Sequence, residues 1–243
     1  MKNQYVGDIG DYGKMGLLRI LQNAGFQVGV NWYLTPDDNK SDGRHIHYLD
    51  KPCDTPDIDL HHGLYHLVKT GCRTIHGLEA PNLLPGAIFY NEVLDYNQIN
   101  QASERKVIRK EWHDSAQQKL SGCDLVFLDP DNGLEVKSKS PYDMEGNKYT
   151  TYQEASQYYG KGMSVLVYNH RDRSPEKKYI ERFQRFYDIP QTKNAHLLCL
   201  TFRRVSVRDY VLLMQEEHLN RIKVAMDGLF ESSWTNYFAY RAI

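Results

Sequence analysis

The segment Leu125–Leu128, LVFL, is apolar at every position and runs straight into Asp129-Pro130-Asp131-Asn132-Gly133. Because no polar residue alternates within it, a strand here is covered on both faces, which requires helices above and below its sheet. A second run, Met163–Tyr168 (MSVLVY), stops just as abruptly at Asn169-His170-Arg171-Asp172-Arg173. Two strands of this kind, separated by a segment with helical pattern, point to an α/β architecture.

The rest of the chain fills in that plan. Lys14–Asn23 places Met15, Leu17, Leu18 and Leu21 at helical spacing, with Gly25 beyond its end. Leu60, Leu64, Leu67 and Val68 form a second apolar stripe closed by Gly71, and Ser103 is placed to cap a helix carrying Val107, Ile108, Trp112 and Ala116. Shorter helices are expected over 151–159, 175–187 and 219–229. The segments 27–35, 86–94, 196–203 and 205–214 read as strands, the last two as a hairpin, and 234–241 as an extended end. Pro36–Asp59, rich in Asp, Pro and Gly, reads as a long loop. The expectation is one α/β domain over 1–243, a mostly parallel Rossmann-like sheet flanked by helices, with a C-terminal antiparallel hairpin.

Composition narrows the class of protein. With 41% hydrophobic and 25% charged residues the 243-residue chain can bury a sizeable core, and no apolar run approaches the roughly 20 residues that span a bilayer. The opening MKNQYVGDIG lacks the basic-then-apolar order of a signal peptide, so a cytoplasmic location without membrane partners is expected. Cys53, Cys72, Cys123 and Cys199 show no metal or disulfide spacing and read as reduced thiols. Charge is uneven: residues 1–150 hold 16 basic against 21 acidic side chains, and the remainder 14 against 10. A basic C-terminal part suits a polyanionic partner, DNA or RNA, or a solvated surface.

Ligands of open α/β sheets bind beyond the carboxyl ends of the strands, which makes the two polar stops the candidate site. Asp129 and Asp131 can accept protons or hold a cation, Asn132 can bond a base edge or an amide, and His170 can move a proton near neutral pH. Arg171 and Arg173 follow the same strand, and Arg203, Arg204 and Arg208 lie in the hairpin; phosphate contacts suit them, although Arg203 and Arg204 read first as a solvent-exposed turn. In the opening GDIGDYGK, glycines can present backbone amides to an anion, with Asp8, Asp11 and Lys14 as the participants. His45 and His47 alternate as on a short strand. His62 and His66 share a helix face, but Gly63 stands where a zinc protease carries its glutamate. Tyr158, Tyr159 and Tyr168 can stack on bases or pack in the core.

A strand ending in Asp129-Pro130-Asp131-Asn132, then a helix, then MSVLVY, resembles motif IV and the next strand of class I S-adenosylmethionine-dependent methyltransferases, especially nucleic-acid amino-methyltransferases with an Asp-Pro-Pro-Tyr type loop. The opening GDIGDYGKMGLLRIL is similar to the segment that opens ribosomal RNA adenine methyltransferases. The resemblance implies a methyltransferase-like fold that uses S-adenosylmethionine and binds it through Asp8, Asp11 and Lys14. It also implies that Asp129 and the loop backbone take the target amino group. Asp131 and Asn132 replace the second proline and the aromatic residue, and NWYLTPDD, after the first strand, has no glycine.

Two other readings stand beside it. Pro130-Asp131 followed by Glu135-x-Lys137 contains the elements of a Mg²⁺-dependent PD-(D/E)xK nuclease or phosphoesterase using Asp129, Asp131, Glu135 and Lys137, and a metal site of another shape, on Asp129 and Asp131 with Asp8 or Asp11, is a further option. Alternatively, a methyltransferase-like chain without the glycine loop can serve as a non-catalytic binding protein.

Overall fold

In the computed structural model, residues 1–37, 43–52 and 55–243 are described; Cys53 lies outside the described residues. The principal helices are α1 (Ile9–Asn23), α2 (Ile58–Lys69), the short α3 (Ile75–Leu78), α4 (Ala102–Lys119), α5 (Tyr152–Tyr159), α6 (Glu176–Glu181) and α7 (Leu219–Glu231). The strands are β1 (Val28–Asn31), β2 (Ile88–Tyr90), β3 (Leu125–Leu128), β4 (Gly133–Leu134), β5 (Tyr149–Thr150), β6 (Ser164–His170), β7 (His196–Phe202), β8 (Arg208–Met214) and β9 (Phe238–Arg241). Among the described residues no helix is long and apolar enough to cross a membrane.

Seven strands form one mixed sheet in the order β2-β1-β3-β6-β8-β7-β9, while β4 and β5 make a small parallel pair apart from it. The first four run parallel, and β8, β7 and β9 are joined by antiparallel pairings. The hairpin is not a simple edge. Its second strand, β8, pairs with β6, and the extended C-terminal segment becomes the outermost strand, β9.

The period of two along each strand divides the interior into two cores. Val28, Val30, Leu125, Phe127, Leu166 and Leu212 face α1, α2 and α7, whereas Val126, Leu128, Val165, Val167, Val211 and Leu213 face the side of α4, α5 and α6. This is the two-sided cover that the apolar runs require.

Several boundaries differ from the sequence expectation. Helix α1 begins at Ile9 rather than Lys14, because the Asp8 side chain accepts the Asp11 amide and caps it. Gly10, Gly13 and Gly16 are therefore helical, while Gly7, before the cap, has φ +78°. A Cβ at Gly13 would meet the Phe202 ring at 2.4 Å and one at Gly16 the Trp234 ring at 2.2 Å, so these glycines let α1 lie against bulky rings. Helix α4 starts at Ala102, with Gln101 at the cap position and no side-chain cap, which puts Ser103 inside the first turn. His47 opens a short 3-10 helix (His47–Asp50) instead of extending a strand from His45. Strand β6 continues to His170, so Asn169 and His170 are strand residues.

The close approach at Gly16 yields a signed prediction. Alanine is favoured over glycine in a helix by about 1 kcal/mol, but pressing a methyl into the Trp234 ring costs about 1–3 kcal/mol. Gly16→Ala should lower the unfolding free energy in urea; a more stable variant would contradict this packing.

Candidate active site

Three pieces of chain converge at the carboxyl edge of the sheet. The β3 strand delivers Asp129, whose backbone N–H donates to Asn31 O at 3.0 Å and ties the loop to the end of β1. The next residues are held by glycine: Gly133 has φ +94°, and a Cβ there would meet Asn169 Oδ1 at 2.3 Å. Asn169 Oδ1 accepts the Leu134 amide at 2.8 Å, so strand β6 fixes the exit of the acidic loop. The amino end of α1 brings Asp8, Asp11 and Lys14 to the same edge.

Between them lies a cavity of about 590 Å³, within the range of small-molecule sites. Asp8, Asp11 and Lys14 line it together with Asp129, Asp131, Asn132 and His170. The structure thus brings together all seven of these candidates, although they are up to 162 positions apart in the chain. Arg44, His45, Tyr168, Ser206 and Arg208 complete much of the wall.

At its centre, Lys14 Nζ lies 2.5 Å from Asp129 Oδ2 and 3.0 Å from Asp11 Oδ1. Burial opposes the ammonium charge, but Asp129 and Asp11 outweigh burial and raise the Lys14 pKa. Burial lifts Asp11 to about 6 against the pull of Lys14, with the Asp8 and Asp129 charges adding to the rise. Asp11 also accepts the Gly7 amide at 2.9 Å. Lys14 further faces the rings of Trp32 and Tyr168 at 5.8 and 5.9 Å.

The other carboxylates have partners too. Asp131 Oδ1 is 2.7 Å from the Met1 amine and its Oδ2 is 3.6 Å from Lys2 Nζ; burial pushes its pKa up, but these charges prevail and hold it below the usual range. The Met1 amine also donates to the carbonyls of Tyr33 and Asp129. Asp8 Oδ2 faces Arg208 at 3.5 Å. On β6, the Tyr168 hydroxyl lies 3.4 Å from His170 Nδ1, and burial followed by the positive charge of Arg208 lowers the His170 pKa.

Not every candidate joins this cavity. Arg171 lies 3.6 Å from the buried Asp209 and stacks over Tyr179 at 5.0 Å, while Arg173 is exposed; neither lines the wall. Glu135 accepts the Tyr152 amide at 3.1 Å at the start of α5, and neither it nor Lys137 reaches the cavity. His61 is buried with Nε2 3.4 Å from the Tyr48 carbonyl, and among the described residues no cluster of three His, Cys, Asp or Glu side chains is arranged to hold a metal ion. Tyr158 is a core residue bonded to Asn31, whereas Tyr168 faces the cavity.

Sequence reasoning missed Arg44 and Met1 as wall residues, and also the brace beneath them. Arg73 donates to the carbonyls of Gln4, Val6 and Gly43, binding the amino-terminal segment to the loop that carries Arg44 and His45. A lone arginine after a helix carries no sequence signal for that role.

No protein-family model, curated protein or solved structure matches this chain.

The raised Asp11 pKa sets a pH dependence. Its folded value, about 6, exceeds the ordinary aspartate value of 3.8, so its contribution to stability is complete below pH 3.8 and is lost as pH rises through 6. The stability of the native chain relative to Asp11→Asn should therefore fall between pH 4 and pH 7 in urea titrations. A constant difference would show that Asp11 is not protonated in the folded state in this window.

Proposed function

We propose that this chain transfers a methyl group from S-adenosylmethionine to an amino group in nucleic acid. The observation that carries the reading is the placement of Asp129. It stands at the carboxyl end of β3, where the neighbouring strands β1 and β6 flank it, is followed by Pro130, and faces a cavity of nucleoside scale. The antiparallel strands added to a parallel half-sheet agree with the methyltransferase resemblance.

The donor set fits a ligand with an amino-acid end. Asp8 and Asp11 at the start of α1 offer acceptors for an ammonium or hydroxyl, and Arg208 offers a donor for a carboxylate. S-adenosylmethionine, when bound, supplies an electrophilic methyl carbon. The chain supplies alignment and charge. Lys14 engages Oδ2 of Asp129, and in this reading Oδ1 takes the amine of the acceptor base. In the same reading the carbonyl of Pro130, which lines the cavity, takes the second N–H. As the amine nitrogen gains positive charge, Asp129 stabilises it, and His170 on the same wall, with its lowered pKa, is available as a neutral base to carry the proton outward.

A second reading, a non-catalytic nucleic-acid-binding protein, is favoured by the chain after β1. Trp32 and Tyr33 are wholly buried there, and the Tyr33 carbonyl is held by the Met1 amine, where close approach of a cofactor to the backbone calls for small residues. The Mg²⁺ phosphoesterase reading draws less support, because Lys14 lies between Asp11 and Asp129, and Glu135 and Lys137 are elsewhere.

Incubation with S-adenosylmethionine tritiated on its methyl group and unmethylated DNA or RNA tests the proposal. The native chain should label polynucleotide, and Asp129→Asn should lower kcat by about 100-fold or more with little change in affinity for the donor. Undiminished turnover by Asp129→Asn would remove Asp129 from the mechanism, and polynucleotide binding without labelling would support the second reading.

A further inference from the structure

The turn between β7 and β8 combines three features that the cavity chemistry leaves unused. Val205 has φ +61°, a left-handed conformation that a β-branched residue adopts only under strain, and its side chain is 69% exposed. Val207 is exposed as well, and Arg203 and Arg204 next to them extend a cationic group beyond the sheet. Arg204 lies over the Tyr237 ring at 4.2 Å, a contact that orients the guanidinium without neutralising it.

The topology places this turn beside the cavity. Strand β8 pairs antiparallel with β6, with Arg208 opposite His170, so the turn emerges at the carboxyl edge of β6 and β3. Strand β8 is two strands from β3, which at the usual spacing is about 10 Å. Ser206 and Arg208, from the same turn and the strand that follows, line the cavity wall. Nothing in the turn itself needs valine at the strained position, since glycine adopts that backbone freely. An apolar side chain held out to water at a conformational cost, between arginines and beside a nucleoside-sized cavity, has the chemistry of a base-contacting wedge.

We propose that this hairpin tip is the polynucleotide-engaging element of the protein: Arg203 and Arg204 contact backbone phosphates, and Val205 packs against the base stack next to the nucleotide that enters the cavity. The proposal rests on the nucleic-acid reading above and assigns the surface that recognises the substrate.

The test uses the full chain, with fluorescence anisotropy on fluorescein-labelled 25-nucleotide pools of random sequence, single- and double-stranded, as DNA and as RNA. Arg203→Gln/Arg204→Gln should weaken binding about 10-fold and reduce the slope of log K against log salt by about 2. Val205→Gly keeps the left-handed turn, so it should match or exceed the native thermal stability while binding about 10-fold more weakly. Labelled poly-L-glutamate serves as a polyanion without bases, and Val205→Gly should leave its weaker binding unchanged. The inference is overturned if the native chain binds no pool, if either variant binds as the native chain does, or if polyglutamate binds as tightly as the nucleic acids. Calorimetry with S-adenosylmethionine separates the two claims. Donor binding without polynucleotide binding removes the hairpin role and leaves methyl transfer to a small acceptor, whereas hairpin-dependent binding without donor binding keeps the hairpin role and removes methyl transfer.

Discussion

The ammonium of Lys14, buried between Asp11 and Asp129, is the contact on which the site depends. It joins the first helix to the end of β3, an interior strand, and hence the amino-terminal segment to the interior of the sheet. Both carboxylates are 3% exposed or less, so neither is well solvated by water alone. Removing the cation would leave two buried anions facing one another, a loss of about 3–5 kcal/mol for a broken buried pair. The same cation engages Oδ2 of Asp129, and it moderates the rise that burial imposes on Asp11.

Around this triad the charges are arranged in opposed pairs. Asp8 faces Arg208, and Asp131 faces the Met1 amine and Lys2. A wall built this way is polar without a strong net charge, which suits a ligand carrying both signs better than a bare phosphate. The excess positive charge lies farther out, at Arg44 on the cavity wall and at Arg203 and Arg204 on the hairpin. Under the proposed function, the paired charges inside would align the ligand and the outer arginines would attract a polyanion.

How much of this was legible depended on the range of the signal. Strands β3 and β6 are readable because their apolar runs are uninterrupted, and the acidic loop lies beyond the end of β3 because turn residues mark that end locally, whereas β6 runs on through Asn169 and His170, which its pairing with β8 holds in the sheet. The start of α1 was misplaced because glycine lowers helix propensity, and only the packing of Gly13 and Gly16 against Phe202 and Trp234 explains helical glycines there. The insertion of β8 beside β6 and the addition of β9 are long-range pairings with no local trace. The candidate residues Asp8, Asp11 and Lys14 did meet Asp129, but sequence gave no sign that Lys14 would bridge the two carboxylates. Arg171 went the other way: it reads like a phosphate contact, yet the buried charge of Asp209 and the face of Tyr179 claim it.

Methyl transfer requires that the cavity beside Lys14 take the methyl donor. Calorimetric titration of the full chain with S-adenosylmethionine, and separately with its demethylated product S-adenosylhomocysteine so that turnover does not obscure binding, addresses this directly. Saturable binding of both at micromolar concentrations, weakened when Asp11 or Arg208 is replaced, is the predicted result. Absence of heat with either ligand in the native chain would contradict the methyl-transfer assignment.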